Sequence, residues 1–525
     1  MPLLTEYWYK DLITIFVTVI LGAILYLKWI YGYWNRKNVI TPTVSLPFGN
    51  ASKLFSQTVT FADEFKDLYF QMKSKGLSYC GYYFFTQPVL IVFDLELAKS
   101  IISKDFSHFT DQITYCNEKN DPLTGQLLAL KGNKWKNLRA KLTPTFTSGK
   151  MKMMFQSFID CSHELVKFMD GLSGIKEPFE VKEVVGRFTT DIIGTCAFGI
   201  ECNSLKNPNS EFRKYGKRLS QPNFIETLKN ITAISVPQVL DILKIPLFSS
   251  DVAKFFIEIV KETVDYREKN NIVRNDFMHL LIQFKNNVAT GELKSEKSGE
   301  EGEKNGNEIG NTLTLEEMAA QAFVFFLAGF ETSSTTLTFC FYELVTNPEV
   351  QEKLRLEIKD VLEKHEGKLT YNALMEMTYM DWCVNETLRK YPPIPILCRC
   401  CTEPYRIPNS DVVIDKNVHV YIPIIGIQHD TEYYPEPEKF DPERFSFQNK
   451  AKRQHYTWLP FGEGPRACIG MRFGLIQIKV ALAVLIKDYK FTLNSKTQSP
   501  LVLDPRSFIM TSIGGVWLNI EKVSD

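Results

Sequence analysis

The stretch Phe461-Gly-Glu-Gly-Pro-Arg-Ala-Cys-Ile-Gly470 constrains this chain more than any other. Gly462 and Gly464 open backbone angles that other residues avoid. Pro465 fixes its own φ and stiffens the turn. The apolar-periodic run from Leu475 to Ile486 then reads as a helix beginning near Cys468. Free N–H groups at a helix N-terminus favour a thiolate over a thiol. A buried, inert side chain is the usual state of a free cysteine. The pattern Phe-x-x-Gly-x-Arg-x-Cys-x-Gly argues otherwise. From average residue usage, a chance match in a chain this long is on the order of one in ten thousand.

This stretch resembles the haem-thiolate signature of the cytochrome P450 monooxygenases. The resemblance implies that Cys468 is the axial ligand of haem b iron, where a thiolate promotes O–O cleavage. It also implies that Phe461 packs against that ligand and that Arg466 reaches a haem propionate.

Of the 525 residues, 44% are hydrophobic and 23% charged, as in a folded globular protein. No low-complexity linker divides the chain. Lys+Arg and Asp+Glu balance at 61 each, so nothing draws the whole chain to nucleic acid. The 11 cysteines are odd in number and scattered, which suits a reducing compartment. Cys398, Cys400 and Cys401 lack the further ligands of a zinc site and read as strand residues.

Leu12 to Leu27 carries no charge, and apolar character continues to Tyr33 past Lys28, near the length that spans a bilayer. Trp29, Tyr31, Tyr33 and Trp34 suit an interfacial belt. A cleaved signal peptide fits less well, because Glu6 and Asp11 outweigh Lys10 and no small-x-small site follows. Lys28, Arg36 and Lys37 lie after the span, which places the body in the cytoplasm. The expected division is an anchor over 1–34, a connector over 35–50 with Pro42, Pro47 and Gly49, and a catalytic domain over 51–525.

Tyr79–Phe85 and Val89–Phe93 predict a hairpin, with Asp94 capping the next helix. Thr110 to Lys131 is a polar candidate binding loop. Trp135 and Arg139 are four apart and share a helix face. Amphipathic helices fill 155–284, and the charged 287–311 stretch reads as a solvated loop. Thr314-Leu-Glu-Glu317 is a capping box opening a buried helix that runs to about Thr346. Inside it, Ala328-Gly-Phe-Glu-Thr332 sets polar groups in apolar surroundings, where they need partners. Glu386 and Arg389 pair at i, i+3 on another helix. Val412–Ile414 and Val418–Ile422 predict a second hairpin.

These motifs extend the resemblance over nearly the whole chain. Phe325-Phe-Leu-Ala-Gly-Phe-Glu-Thr-Ser-Ser334 and Leu142-Thr-Pro-Thr-Phe-Thr-Ser-Gly-Lys-Met151 look closest to insect microsomal family-6 enzymes. The implied fold is mainly α with small β-sheets, the haem lying between two long helices, preceded by one transmembrane helix. Trp135, Arg139 and Arg399 would hold propionates. Thr332 and Glu331 would relay protons for oxygen activation. Glu386, Arg389 and Arg444 would form a structural ion network. By motif position, the substrate pocket would include Phe326, Ala328, Ile394, Ile396, Leu397, Phe508 and Met510. The implied reaction inserts one oxygen atom from dioxygen into an apolar small molecule, with a xenobiotic expected. Electrons would come from NADPH through NADPH–cytochrome P450 reductase at the endoplasmic reticulum membrane, with cytochrome b5 a further candidate partner. No dinucleotide fingerprint is present, so an electron donor is needed. The alternatives are an endogenous lipid or hormone hydroxylase, a haem-thiolate isomerase or lyase, and a membrane-anchored haem sensor.

Overall fold

The computed structural model describes residues 8–220, 223–286 and 312–523. The expected solvated loop at 287–311 lies outside the described residues. Helix α1 (Trp8–Tyr31) has no buried residue and is long and apolar enough to cross a membrane. Trp34, expected in an interfacial belt, is instead fully buried. A side chain at Gly81 would collide with its ring, and its Nε1 donates to Tyr82 O at 3.1 Å. An indole that finds both a close-packed slot and an acceptor gains more inside than at an interface. The packed body therefore begins by Trp34.

Six further helices position the site. They are α2 (Gly132–Leu142), α3 (Val181–Ile193), α4 (Glu211–Ser220), α5 (Leu315–Thr346), α6 (Thr378–Lys390) and α7 (Met471–Asp488). The capping box on α5 is formed: Thr314 Oγ1 accepts from Glu317 N, and Thr314 N donates to Glu317 Oε2 at 2.8 Å. This satisfies two donors that a helix start leaves orphaned. Helix α5 ends at Thr346, just before Pro348, which opens the next helix. It packs on α3 and α7 in the main hydrophobic core.

A four-stranded sheet lies over a second core. Its strands are β1 (Tyr79–Phe84), β2 (Gln87–Val92), β3 (Leu397–Cys400) and β4 (His419–Ile422), in the order β1-β2-β4-β3. The first hairpin is as expected, with Tyr79 opposite Val92. The second is not. Strand β4 pairs parallel to β2 and antiparallel to β3, while Val413–Ile414 pairs with Tyr405–Arg406. All four β4 residues are buried, so both edges need ladder partners that one short neighbour cannot supply.

Candidate active site

The Cys468 loop is set by the backbone of its glycines. Gly462 and Gly464 adopt φ of +66° and +73°. A side chain on Gly464 would collide with the Ile102 carbonyl. Cys468 N donates to Phe461 O at 2.8 Å and closes the turn. Helix α7 starts at Met471 with Gly470 as its cap, a few residues later than the sequence suggests. The thiol is enclosed by protein yet keeps accessible surface, because it faces a cavity of about 340 Å³. Burial pushes the thiol up, against the Gly470 N–H and the Arg139 charge, which both pull it down. The expected helix-end effect is thus present but outweighed. A coordinating metal cation deprotonates a thiol outright.

Across the cavity stands the middle of α5. Ala328 is exposed although its helix is core, and Phe325, Gly329 and Thr332 are only partly covered. These residues share one face at helical spacing. Gly329 lets Ile193 pack close: a Cβ there would lie 2.5 Å from Ile193 Cδ1, so that side chain would have to shift. Thr332 Oγ1 donates to Ala328 O at 2.7 Å and lines the cavity. Glu331 does not face it. Its Oε1 lies 2.6 Å from Lys182 Nζ and its Oε2 accepts from Ser220 Oγ at 2.9 Å. A buried carboxylate turns to the cation on offer, here on α3, rather than to an apolar cavity.

One end of the cavity is strongly cationic. Arg139 and Arg466 line it, and Arg399 is buried behind Gln112 rather than on its surface. Trp135 stacks under the Arg466 guanidinium at 3.8 Å. Arg466 donates to the carbonyls of Thr110, Leu127 and Leu130, and Arg139 to that of Ala467. Burial pushes Arg466 down to about 9 and Arg399 down to about 10. Among the described residues, the only carboxylate in this cluster is Asp111, 3.8 Å from Arg466. Buried charges held by neutral carbonyls demand an anion. The pocket therefore fits an apolar group with an anionic edge and a metal that accepts a thiolate.

The remaining expected residues divide. Glu386 and Arg389 are fully buried, joined at 2.7 and 2.9 Å, and Arg444 Nε lies 3.3 Å from Glu386. Phe461, Ala328, Ile394 and Leu397 line the cavity. Phe326 packs among the rings of Phe212, Phe256 and Phe330 instead. Ile396 is buried in the second core. Phe508 is half exposed against Phe61, and Met510 lines a separate cavity beside Ile425. Sequence reasoning missed Gln112, and it missed Cys196 and Ala197, which reach the cavity from a π-turn continuing α3 (Gly194–Phe198). A π-turn shifts the helical register, so no period marks its inward residues.

Residues 45–518 match the family model described as Cytochrome P450. The chain is 43% identical over 514 residues to the protein named "Probable cytochrome P450 6a13" of Drosophila melanogaster, covering 97% of this chain and 99% of that one. It is 40% identical to "Cytochrome P450 6j1" of Blattella germanica, covering 98% of each. A thiol in a glycine-shaped loop, a hydroxyl-bearing helix opposite and an anion-demanding edge accord with that match. The chain belongs to the cytochrome P450 family and is a haem-thiolate monooxygenase.

Proposed function

We propose that the chain is anchored in the endoplasmic reticulum membrane and oxygenates apolar xenobiotics, such as plant toxins or insecticides, on the cytosolic face. NADPH supplies electrons through NADPH–cytochrome P450 reductase, with cytochrome b5 as an accessory donor. The observation that carries this reading is the cavity joining the Cys468 thiol to the Thr332 hydroxyl, walled by Phe146, Phe325 and Ile394. Such walls recognise substrates by area and shape, not by hydrogen bonds.

Bound haem supplies the activation of dioxygen. Cys468 would hold the iron, and Arg466 and Arg139 would hold the propionates. Thr332 Oγ1 donates its own proton to Ala328 O, so toward the cavity it presents lone pairs, and it would donate a proton there only after its hydroxyl rotates away from that carbonyl. Glu331, tied to Lys182 and Ser220, stands behind the wall and fixes α5 against α3 and α4. The proton-relay role therefore rests on Thr332 at the cavity, with Glu331 as its buried neighbour.

Reconstitution with the reductase tests the reading. NADPH consumption should depend on both reductase and substrate and should yield oxygenated product from a xenobiotic panel. Turnover confined to endogenous lipids or hormones would favour that alternative, and no reductase-dependent consumption would favour a sensor. Positioned proton transfer contributes about 10²-fold or more. Thr332→Ala should therefore keep its haem and bind substrate, yet divert most NADPH to peroxide. Unchanged coupling would remove Thr332 from the relay.

The topology has its own test. Of the sequons at Asn50, Asn230 and Asn385, two are structurally engaged. Asn50 Nδ2 donates to Thr43 O at 2.9 Å, and its Oδ1 accepts from Tyr83 N at 2.8 Å. Asn385 adjoins the buried Glu386. A glycan at either would break that packing. Protease added to sealed microsomes should digest the body, and endoglycosidase should leave its mass unchanged. A protected, glycosylated body would reverse the orientation.

A further inference from the structure

We propose that Gln112 is a positioning residue for the anionic edge of the haem. Its neutral amide holds Arg399 behind the cavity wall without cancelling the charge. The inference rests on the haem reading above.

Gln112 lines the cavity on a loop pinned to β3, where Cys400 N donates to Asp111 O at 2.8 Å. In the amide orientation that satisfies both ends, Gln112 Nε2 donates to Cys398 O at 2.8 Å and its Oε1 accepts from Arg399 Nη1 at 3.2 Å. Arg399 is 2% exposed. Its Nη1 also donates to Cys398 O at 2.8 Å, and its Nε has no hydrogen-bond partner among the described residues. No carboxylate pairs with it among those residues. The neighbouring acid, Asp111, faces Arg466 at 3.8 Å and accepts from Gly132 N at 3.0 Å.

A buried guanidinium with a free donor and no counter-ion is costly unless something else completes it. A glutamate at position 112 would complete it and end its pull on a bound carboxylate. An amide fixes the side chain and leaves the positive field intact.

The test uses the full-length holoprotein and two substitutions of similar size. Gln112→Met removes both hydrogen bonds. Gln112→Glu keeps the acceptor, removes a donor and adds charge. Three quantities are read: haem transfer to apomyoglobin, the haem reduction potential, and thermal unfolding. Haem loss should quicken about tenfold or more in Gln112→Glu, since outer-shell partners commonly carry 10–100-fold. It should quicken less in Gln112→Met. The potential should fall only in Gln112→Glu, which a purely structural role would not produce. Wild-type haem loss in both variants would overturn the proposal. Equal loss in both without a potential shift would overturn the charge argument. A wild-type protein lacking the thiolate-type carbonyl band would overturn the haem reading itself, and the two failures are distinct.

Discussion

Cys468→Ser should lose the red-shifted band of the reduced carbonyl complex and about 100-fold or more of its turnover, exceeding the loss typical of outer-shell partners. The argument is geometric. Cys468 lines the cavity opposite Thr332, and its loop is held by Gly462, Gly464 and the Phe461 carbonyl rather than by the sulfur. A serine there keeps the turn but offers a hard, poorly ionised oxygen in place of a soft thiolate. Burial already pushes the Cys468 thiol up, and a hydroxyl, far less acidic, would ionise less readily still. Among the described residues, Cys196 is the other thiol lining this cavity, which makes Cys196→Ser the matched control. It should keep the band. A band surviving in Cys468→Ser, or lost in Cys196→Ser, would remove Cys468 as the ligand.

The Cys468 turn and the α5 capping box were legible because each is local. Glycine angles, a proline and a Thr/Glu pair three residues apart specify backbone shape without reference to the rest of the chain. Several side-chain destinations were not. Helix α5 is apolar nearly all round, so its sequence does not mark the face that meets the cavity. Phe326 was expected at the substrate and packs among aromatic rings, while Ala328 and Gly329 face the open space. Glu331 turned to Lys182, a residue 149 positions away in the chain, and no local pattern reveals that pairing. Strand β4 failed for a related reason. Four residues, Asp415 to Val418, join it to Val413–Ile414, but its burial selects β2 and β3 as partners. Gln112 is one polar residue in a polar loop, and only the orphaned Arg399 behind it gives it meaning.

Breaking the buried ion network should do more damage to the fold than any change in the cavity. Glu386 and Arg389 are both 0% exposed. Arg389 uses four of its five N–H donors here: two go to Glu386, one to Gln428 O at 2.9 Å and one to Pro437 O at 2.7 Å. Glu386 also accepts from Asp441 N at 3.0 Å. The pair therefore ties α6 to the 428–441 segment and to the turn bearing Arg444. Burial pushes the Glu386 carboxyl up despite Arg389, so desolvation outweighs the attraction that ionised Glu386 receives. The intact pair need not be a net source of stability, but a widowed partner is expensive. Glu386→Gln should cost about 3–5 kcal/mol by leaving Arg389 charged and unpaired. That is a large share of the roughly 5–15 kcal/mol that holds a domain together. Arg389→Lys should not rescue Arg389→Met, because an ammonium cannot reproduce the planar fork. Arg444→Met should be milder, since Arg444 is partly exposed and sits at 3.3 Å. The discriminating measurement is thermal unfolding of the holoproteins, including the double variant Glu386→Gln/Arg389→Met. Removing both charges should cost less than the sum of the single changes, as expected for residues in contact. Strict additivity, or wild-type stability in Glu386→Gln, would mean that the 428–441 segment is held by its apolar packing and not by this network.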